Sequence, residues 1–313
     1  MKKIGQGCAS GKIILMGEHS VVYGEPAIAF PFSGAEICAT VRFQPYESWI
    51  ESVIYNGPLA DAPQTMNNVT SLLWQLVQQF AIQEPFYLKI ESTVPPERGM
   101  GSSAAVAVAI TRAFFDWLDL PATQDDVLYF VNQAEKVAHG NPSGIDAAAI
   151  SGSEPILFQK GLAFESFSLN MDAFLVVADT GIKGQTRKAV KDVARLVEKS
   201  PAIAAKKLRQ LGHWTKEAQQ AILSNRPQLL GQCMTQAHHQ LQNLGISNQH
   251  LDHLVETALV HGALGAKLTG GGRGGCMIAL AADEVTGFQL QQHLLAAGAQ
   301  NTWVQGLGVY AHV

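Results

Sequence analysis

The sequence predicts a mixed α+β fold in two lobes, and three observations carry that reading. The chain has 313 residues, more than one hydrophobic core usually organises, so roughly two lobes are expected. Its first half alternates strand-like apolar runs with helical ones, while its second half strings several helices between strands. No repeat, low-complexity tract or long linker interrupts the pattern, and a boundary near residue 155 gives lobes 1–154 and 155–313.

Taken in order, Lys12 to Met16, Ala35 to Phe43 and Tyr87 to Glu91 read as strands, being apolar or alternating runs rich in β-branched residues. Val69 to Phe80, Ser102 to Leu118 and Gln124 to Ala138 repeat their apolar residues at helical spacing. In the second half Pro155 to Gln159 and Ala173 to Asp179 are strand candidates. Helical stretches follow at Thr186 to Lys199, Ala202 to Leu223, Pro227 to Leu244 and Asn248 to His261. Ala266 to Thr269 and Cys276 to Leu280 flank the run Gly270 to Gly275 as two more strands, and Trp303 to His312 is a last one.

Composition narrows the function classes. A net charge of −4 with 15% charged residues leaves no basic surplus to hold nucleic acid or an anionic membrane. The longest apolar runs, such as Ala173 to Ala178, fall far short of the about 20 residues a membrane span needs. Lys2 and Lys3 ahead of Ile13 to Met16 could imitate a secretion signal, but Lys12, Glu18 and His19 interrupt any apolar core. Cys8, Cys38, Cys233 and Cys276 show neither a C-x-x-C pair nor zinc spacing, so a reducing cytoplasm is the simplest setting. A small molecule is the expected partner.

The most specific stretch is Pro95-Pro96-Glu97-Arg98-Gly99-Met100-Gly101-Ser102-Ser103-Ala104-Ala105, a glycine-rich turn running directly into a helix. The unpaired N–H groups of a first helical turn, approached over glycine, make an anion site, and phosphate is the natural ligand. It is not a Walker A loop, because Ser102 stands where that motif needs lysine, so cation and metal ligands must come from elsewhere. Read alone, the same residues also describe a plain helix start.

Other stretches carry chemistry of their own. Leu128, Val131, Glu135 and Ala138 share one helical face, so Glu135 points inward and must be paired, hydrogen-bonded or bound to a cation. His139-Gly140-Asn141-Pro142-Ser143-Gly144-Ile145-Asp146 delivers Asp146 to the start of an alanine-rich segment, either as an N-cap or as a carboxylate that orients and deprotonates a hydroxyl. Lys12 and the pair Glu18-His19 bracket a buried strand, as solvated ends or as presented site groups. The Gly270 to Gly275 run is a hairpin tip or a close approach to a ligand, and Arg273 within it is ambiguous. His238, His239, His250 and His253 lack an H-E-x-x-H arrangement and are not read as metal ligands.

Together, the stretch from Lys12 to Gly24, the loop from Pro95 to Ala105 and the segment from Lys267 to Cys276 resemble, in order, the three signature segments of the GHMP family of small-molecule kinases. The resemblance implies an N-terminal lobe like ribosomal protein S5 and a C-terminal α/β lobe, with the active site between them. It implies ATP and Mg²⁺ as cofactors, with the loop Pro95 to Ala105 cradling the nucleotide phosphates and Ser103 and Glu135 holding the metal. Asp146 then faces the acceptor hydroxyl with Lys12 beside it, and Glu18, His19 and Thr186 lie near the substrate. Lys160 is set against a substrate carboxylate by its charge and position. The form of the His139 to Asp146 loop implies mevalonate as the acceptor, phosphorylated on its 5-hydroxyl, and a homodimer is a further expectation. Ser10, where the family usually has proline, and Arg273, where it has a small or apolar residue, depart from the pattern, the latter as an added anion contact.

Other kinases of the family and a non-catalytic member of the fold remain as alternative readings. A kinase for phosphomevalonate would need extra cationic side chains beside the acceptor, and none cluster near 139 to 146. A non-catalytic, ligand-sensing member of the fold would be signalled by loss of Lys12, Glu135 or Asp146, and all three are present.

Overall fold

The computed structural model describes residues 2–95, 98–139, 144–152, 154–169 and 171–308, and the side chains of residues 138 and 139 are outside that description. Pro96, Glu97 and the stretch Gly140 to Ser143, singled out above, therefore lie outside the described residues. The chain forms two compact, mixed α/β units: residues 1–12, 31–95 and 101–153 make the first, and 13–30, 96–100 and 154–313 the second.

The first unit holds the early part of β1 (Ile4–Met16), most of β2 (Ala27–Phe43), β3 (Trp49–Glu51), β4 (Asn56–Pro58) and β5 (Phe86–Ser92). β2 pairs antiparallel with β5, from Ile37 opposite Ser92 to Phe43 opposite Phe86, and β3 adds in parallel on the other edge of β5. Its helices are α1 (Asn67–Gln79), α2 (Ser102–Leu118), α3 (Gln124–His139) and α4 (Ile145–Ser151). Helix α2 is the centre: Ala104, Ala105, Val108, Ala109 and Ala113 are buried, and their small side chains let neighbours approach its backbone. Its far end is held by edge-to-face rings, Phe86 on Phe114 at 5.1 Å and Phe114 on Trp117 at 5.9 Å, pairs worth about 1 kcal/mol each beyond their buried area. Helix α3 starts on a reciprocal cap, Asp126 accepting from the Thr123 amide and Thr123 Oγ1 accepting from that of Asp126.

The second unit is built on a four-stranded antiparallel sheet in the order β11-β8-β10-β9. These strands are β8 (Ala173–Asp179), β9 (Gly265–Thr269), β10 (Cys276–Ala281) and β11 (Asn301–Leu307). Every residue of β8, β9 and β10 is buried, as expected of continuous apolar strands covered by helices. The helices are α5 (Thr186–Lys199), α6 (Pro201–Leu223), α7 (Pro227–Asn243), α8 (Gln249–Val260) and α9 (Glu284–Ala296). Two short strands, β6 (Ile156–Phe158) and β7 (Glu165–Ser166), pair beside the start of β2.

The structure adds the short strands β3, β4 and β7 and starts β2 at Ala27 rather than Ala35, and three further differences from the sequence expectation have identifiable physical reasons. β1 begins at Ile4 rather than Lys12, because its buried positions there are Gly5, Gly7, Ala9 and Gly11, which give no hydrophobic signal. Helix α9 escaped notice because Val285, Phe288 and Leu295 are exposed while Leu290 and Leu294 are buried, so its apolar residues form no single stripe. Cys8 and Cys38, 30 residues apart on β1 and β2, are joined in a disulfide that their scattered spacing does not announce. Trp303 does lie in a strand, β11, which ends at Leu307, while residues 309–313 are outside the described ones.

Candidate active site

In the first unit the site assembles around the N-terminus of α2. Gly101 caps that helix in the left-handed conformation, φ 69°, with no side chain capping the first turn, so the first-turn amides, those of the half-buried Ser102 and Ser103 foremost, have no partner within the helix. Ala104 and Ala105 are buried, and the Ala105 amide already donates to the Gly101 carbonyl at 2.9 Å. Lys12, 3% exposed, comes from β1, and its Nζ lies 3.0 Å from Oδ1 of Asp146. Asp146 does not cap α4. Gly144 is the cap, with φ 85°, and Asp146 sits in the first helical turn, one-third exposed, with its carboxylate toward Lys12. That position at the positive end of the helix suits a carboxylate.

Glu135 is buried on α3, as its helical face predicts; Val127, Phe130, Val131 and Ala134 complete the buried stripe, while Leu128 is only partly buried. Ser103 is half-buried, and its Oγ accepts a hydrogen bond from Asn68 Nδ2 of α1 at 3.1 Å. Asn68 carries no signal in the sequence. Its partnership runs across 35 residues, and an asparagine in a helix start carries no distinguishing pattern.

In the second unit three candidate segments converge. Glu18, 1% exposed, pairs with Lys267, which is fully buried; burial pulls the lysine's pKa down while the Glu18 carboxylate opposes that shift. His19 is also buried, with φ 61°, and its Nε2 stands 3.0 Å from the Gly271 carbonyl. A carbonyl only accepts, so Nε2 carries the proton. Burial holds the ring's pKa below its ordinary value, leaving it neutral near pH 7. Thr186, the first residue of α5, packs on the same backbone: a β-carbon at Gly271 would fall 1.9 Å from Thr186 Oγ1. The glycine run is thus a junction that admits no side chain there.

The remaining candidates are anchored nearby. Arg98 Nε lies 2.8 Å from Asp179 and a terminal nitrogen donates to Gly181, so this guanidinium ties the loop to the end of β8. Gly99 lies against Gly270, with room of only 3.3 Å for a β-carbon, and Met100 is buried. Pro95 is half-buried. Lys160 is exposed in the turn after β6, where its neighbour Gln159 donates to the Gly24 carbonyl at 2.8 Å. Arg273 is engaged by Asp192 at 2.5 Å and by the carbonyl of Gly245 at 2.9 Å, so it braces the glycine run against α5. Among the described residues the histidines form no metal cluster; the one such group is Cys8, Glu36 and Cys38, whose sulfurs are bonded to each other and are not thiolate ligands. Also among them, no helix is long and apolar enough to cross a membrane.

The chain matches known proteins along most of its length. The family model described as GHMP kinases N terminal domain matches residues 67–153, and that described as GHMP kinases C terminal matches 218–300. A curated relative from Pyrococcus furiosus named "Mevalonate kinase" is 35% identical over 296 residues, 87% of this chain and 88% of the relative. A Thermococcus gammatolerans protein of the same name is 36% identical over 304 residues, 88% of this chain and 89% of the relative. Among solved structures, the mevalonate kinase of methicillin-resistant Staphylococcus aureus is 34% identical with a TM-score of 0.77, covering 98% of this chain and 100% of that one. The L. major mevalonate kinase in complex with R-mevalonate is 27% identical with a TM-score of 0.86, covering 97% of this chain and 96% of that one.

Proposed function

Because the chain belongs to the GHMP kinase family, we propose that it transfers the γ-phosphoryl group of ATP to the 5-hydroxyl of mevalonate, giving 5-phosphomevalonate. The observation that carries the chemistry is the buried Lys12 ammonium against Asp146, in the same unit as the open N-terminus of α2. Phosphoryl transfer asks little covalent work of a protein and much positioning and charge compensation. The outward amides of α2 and its glycine turn receive phosphate oxygens. Asp146 accepts the hydroxyl proton as the oxygen attacks, and Lys12 both fixes that carboxylate and meets the negative charge of the transferring group.

His19, Thr186 and Lys160 contact the acceptor in this proposal, with the neutral His19 ring serving as a hydrogen-bonding group rather than a cation. Glu18 acts differently: its carboxylate is committed to Lys267, so it shapes the turn carrying His19. Magnesium fits the donor set, since the Glu135 carboxylate and Ser103 hydroxyl are hard oxygen ligands. When bound, the ion neutralises charge on the nucleotide phosphates. A homodimer belongs to the same proposal and is tested by light scattering; a cytoplasmic location is kept with it, although the Cys8–Cys38 bond removes unpaired cysteines as its ground.

The test is ADP release from the pure protein with ATP and Mg²⁺, given mevalonate, phosphomevalonate, galactose or homoserine in separate reactions. Turnover with mevalonate alone supports the reading. Turnover with phosphomevalonate instead would replace it by the neighbouring kinase, and none with any acceptor would favour a sensing role.

A further inference from the structure

Arg112 lies on α2 about 15 Å along the helix axis from Ser102, well away from the nucleotide end. It is half-buried, and its two terminal nitrogens reach two different elements: one donates to the Cys8 carbonyl of β1 at 2.7 Å, the other to the Ser151 carbonyl of α4 at 3.3 Å. Those elements are the two that carry the reacting pair. Lys12 stands four residues beyond Cys8 on β1, and Asp146 stands near the start of the helix that ends at Ser151. The two elements are therefore linked at one point by the Lys12–Asp146 ion pair and at another through the Arg112 guanidinium.

The local chemistry explains why an arginine fits. The last carbonyls of α4 have no helical partner and form the negative end of its dipole, so a cation that also donates hydrogen bonds satisfies both. β1 touches α2 directly through glycine: a β-carbon at Gly7 would lie 2.4 Å from the Ala113 amide nitrogen. Strand and helix are thus locked backbone to backbone, and Arg112 extends that lock to α4. The planar guanidinium reaches the two carbonyls through two separate nitrogens held at a fixed spread, whereas an ammonium must serve both from one nitrogen.

We propose that Arg112 is a positioning residue for phosphoryl transfer, holding α4 against β1 so that Asp146 meets the acceptor at the correct distance from Lys12. This rests on the reading of Lys12 and Asp146 as the reacting pair. Displacement of a reacting group by about 1 Å can cost 10²-fold in rate, so a clasp remote from the chemistry is sufficient to matter.

The experiment compares Arg112→Ala, Arg112→Lys, Asp146→Asn and the double variant Arg112→Ala/Asp146→Asn, measuring kcat, both KM values and Tm. Arg112→Ala should lower kcat by roughly 10- to 100-fold with KM for ATP nearly unchanged, and added guanidinium ion at low millimolar concentration should restore part of it. Arg112→Lys should lose kcat several-fold without rescue, and it carries the same test if the alanine variant is too unstable to assay. The double variant should be no slower than Asp146→Asn alone. Lowered Tm with normal kcat in Arg112→Lys would make Arg112 merely structural and overturn the proposal, as would a loss confined to KM for ATP. If Asp146→Asn itself keeps its kcat, the reading of the reacting pair fails and this proposal falls with it; if Asp146→Asn is inactive while both Arg112 variants turn over normally, this proposal alone fails.

Discussion

A β-carbon built on Gly101 would stand 2.8 Å from Cγ of Lys12, so the turn that opens α2 and the lysine facing Asp146 occupy adjoining space. The glycine therefore answers two demands, a left-handed φ of 69° and room for the lysine stem. Gly101→Val should abolish nucleotide binding, because the branched side chain both resists that φ and pushes Lys12 aside. Thermal-shift assays with ATP and Mg²⁺ check this: the variant should fold but show no nucleotide-induced rise in Tm. A wild-type shift would mean the loop is only a helix start.

The Glu18–Lys267 pair predicts a large, one-sided cost. Lys267→Met leaves a carboxylate buried without its cation, a defect worth about 3–5 kcal/mol. Urea unfolding should show a loss of that size, and adding Glu18→Gln should recover much of it. A single-variant loss within about 1 kcal/mol would indicate that Glu18 finds water or another donor.

His238 gives the protein an acid-sensitive element. Its pKa is pushed down to about 4, first by burial and then by Lys267 and His239, with Asp252 opposing. The folded value lies below the unfolded one, so the unfolded chain binds the proton first, and stability falls as pH drops from about 6.5 towards 4. The loss from this residue is at most about 3 kcal/mol. Unfolding free energies at pH 7, 5.5 and 4.5 should therefore fall less steeply for His238→Gln than for the wild type; parallel profiles would remove His238 as the cause.

How much of this was legible varies with the physics involved. Glu135 could be placed inside from spacing alone, because a helix converts sequence period into a face. The Lys12–Asp146 contact spans most of the first unit, so no local pattern specified it and only the resemblance implied it. Whether Asp146 capped its helix was open in the sequence, since aspartate before alanines suits both roles, and Gly144 settled that through its own φ of 85°. Arg273, which the resemblance makes an added anion contact, instead spends its guanidinium on Asp192 and Gly245, partners that only the fold brings near. Helix α9 left one readable trace, the Asp283 cap on the Thr286 amide, which the smeared apolar pattern overrode.

The Cys8–Cys38 bond closes a loop of 30 residues in sequence separation, which in the chain-entropy account stabilises by roughly 3.6 kcal/mol. Cys8→Ser should lower stability by about that much in non-reducing buffer, and dithiothreitol should lower the wild-type Tm but not that of the variant. Equal Tm values for wild type with and without reductant would show that the bond adds nothing beyond the sheet.

The measurement closest to the central claim is kcat of Asp146→Asn under saturating mevalonate and ATP with Mg²⁺. Asparagine preserves the size of the side chain and removes the charge proposed to accept the hydroxyl proton. Since Gly144 caps the helix, the substitution should leave the fold and both KM values largely intact while lowering kcat by roughly 10² to 10⁴. Lys12→Met should lower kcat as well, and the double variant should lose less than the product of the two, as groups acting in one unit do. A near-wild-type kcat in Asp146→Asn would contradict the account, leaving the Lys12–Asp146 pair a structural ion pair and the phosphoryl acceptor's base unassigned.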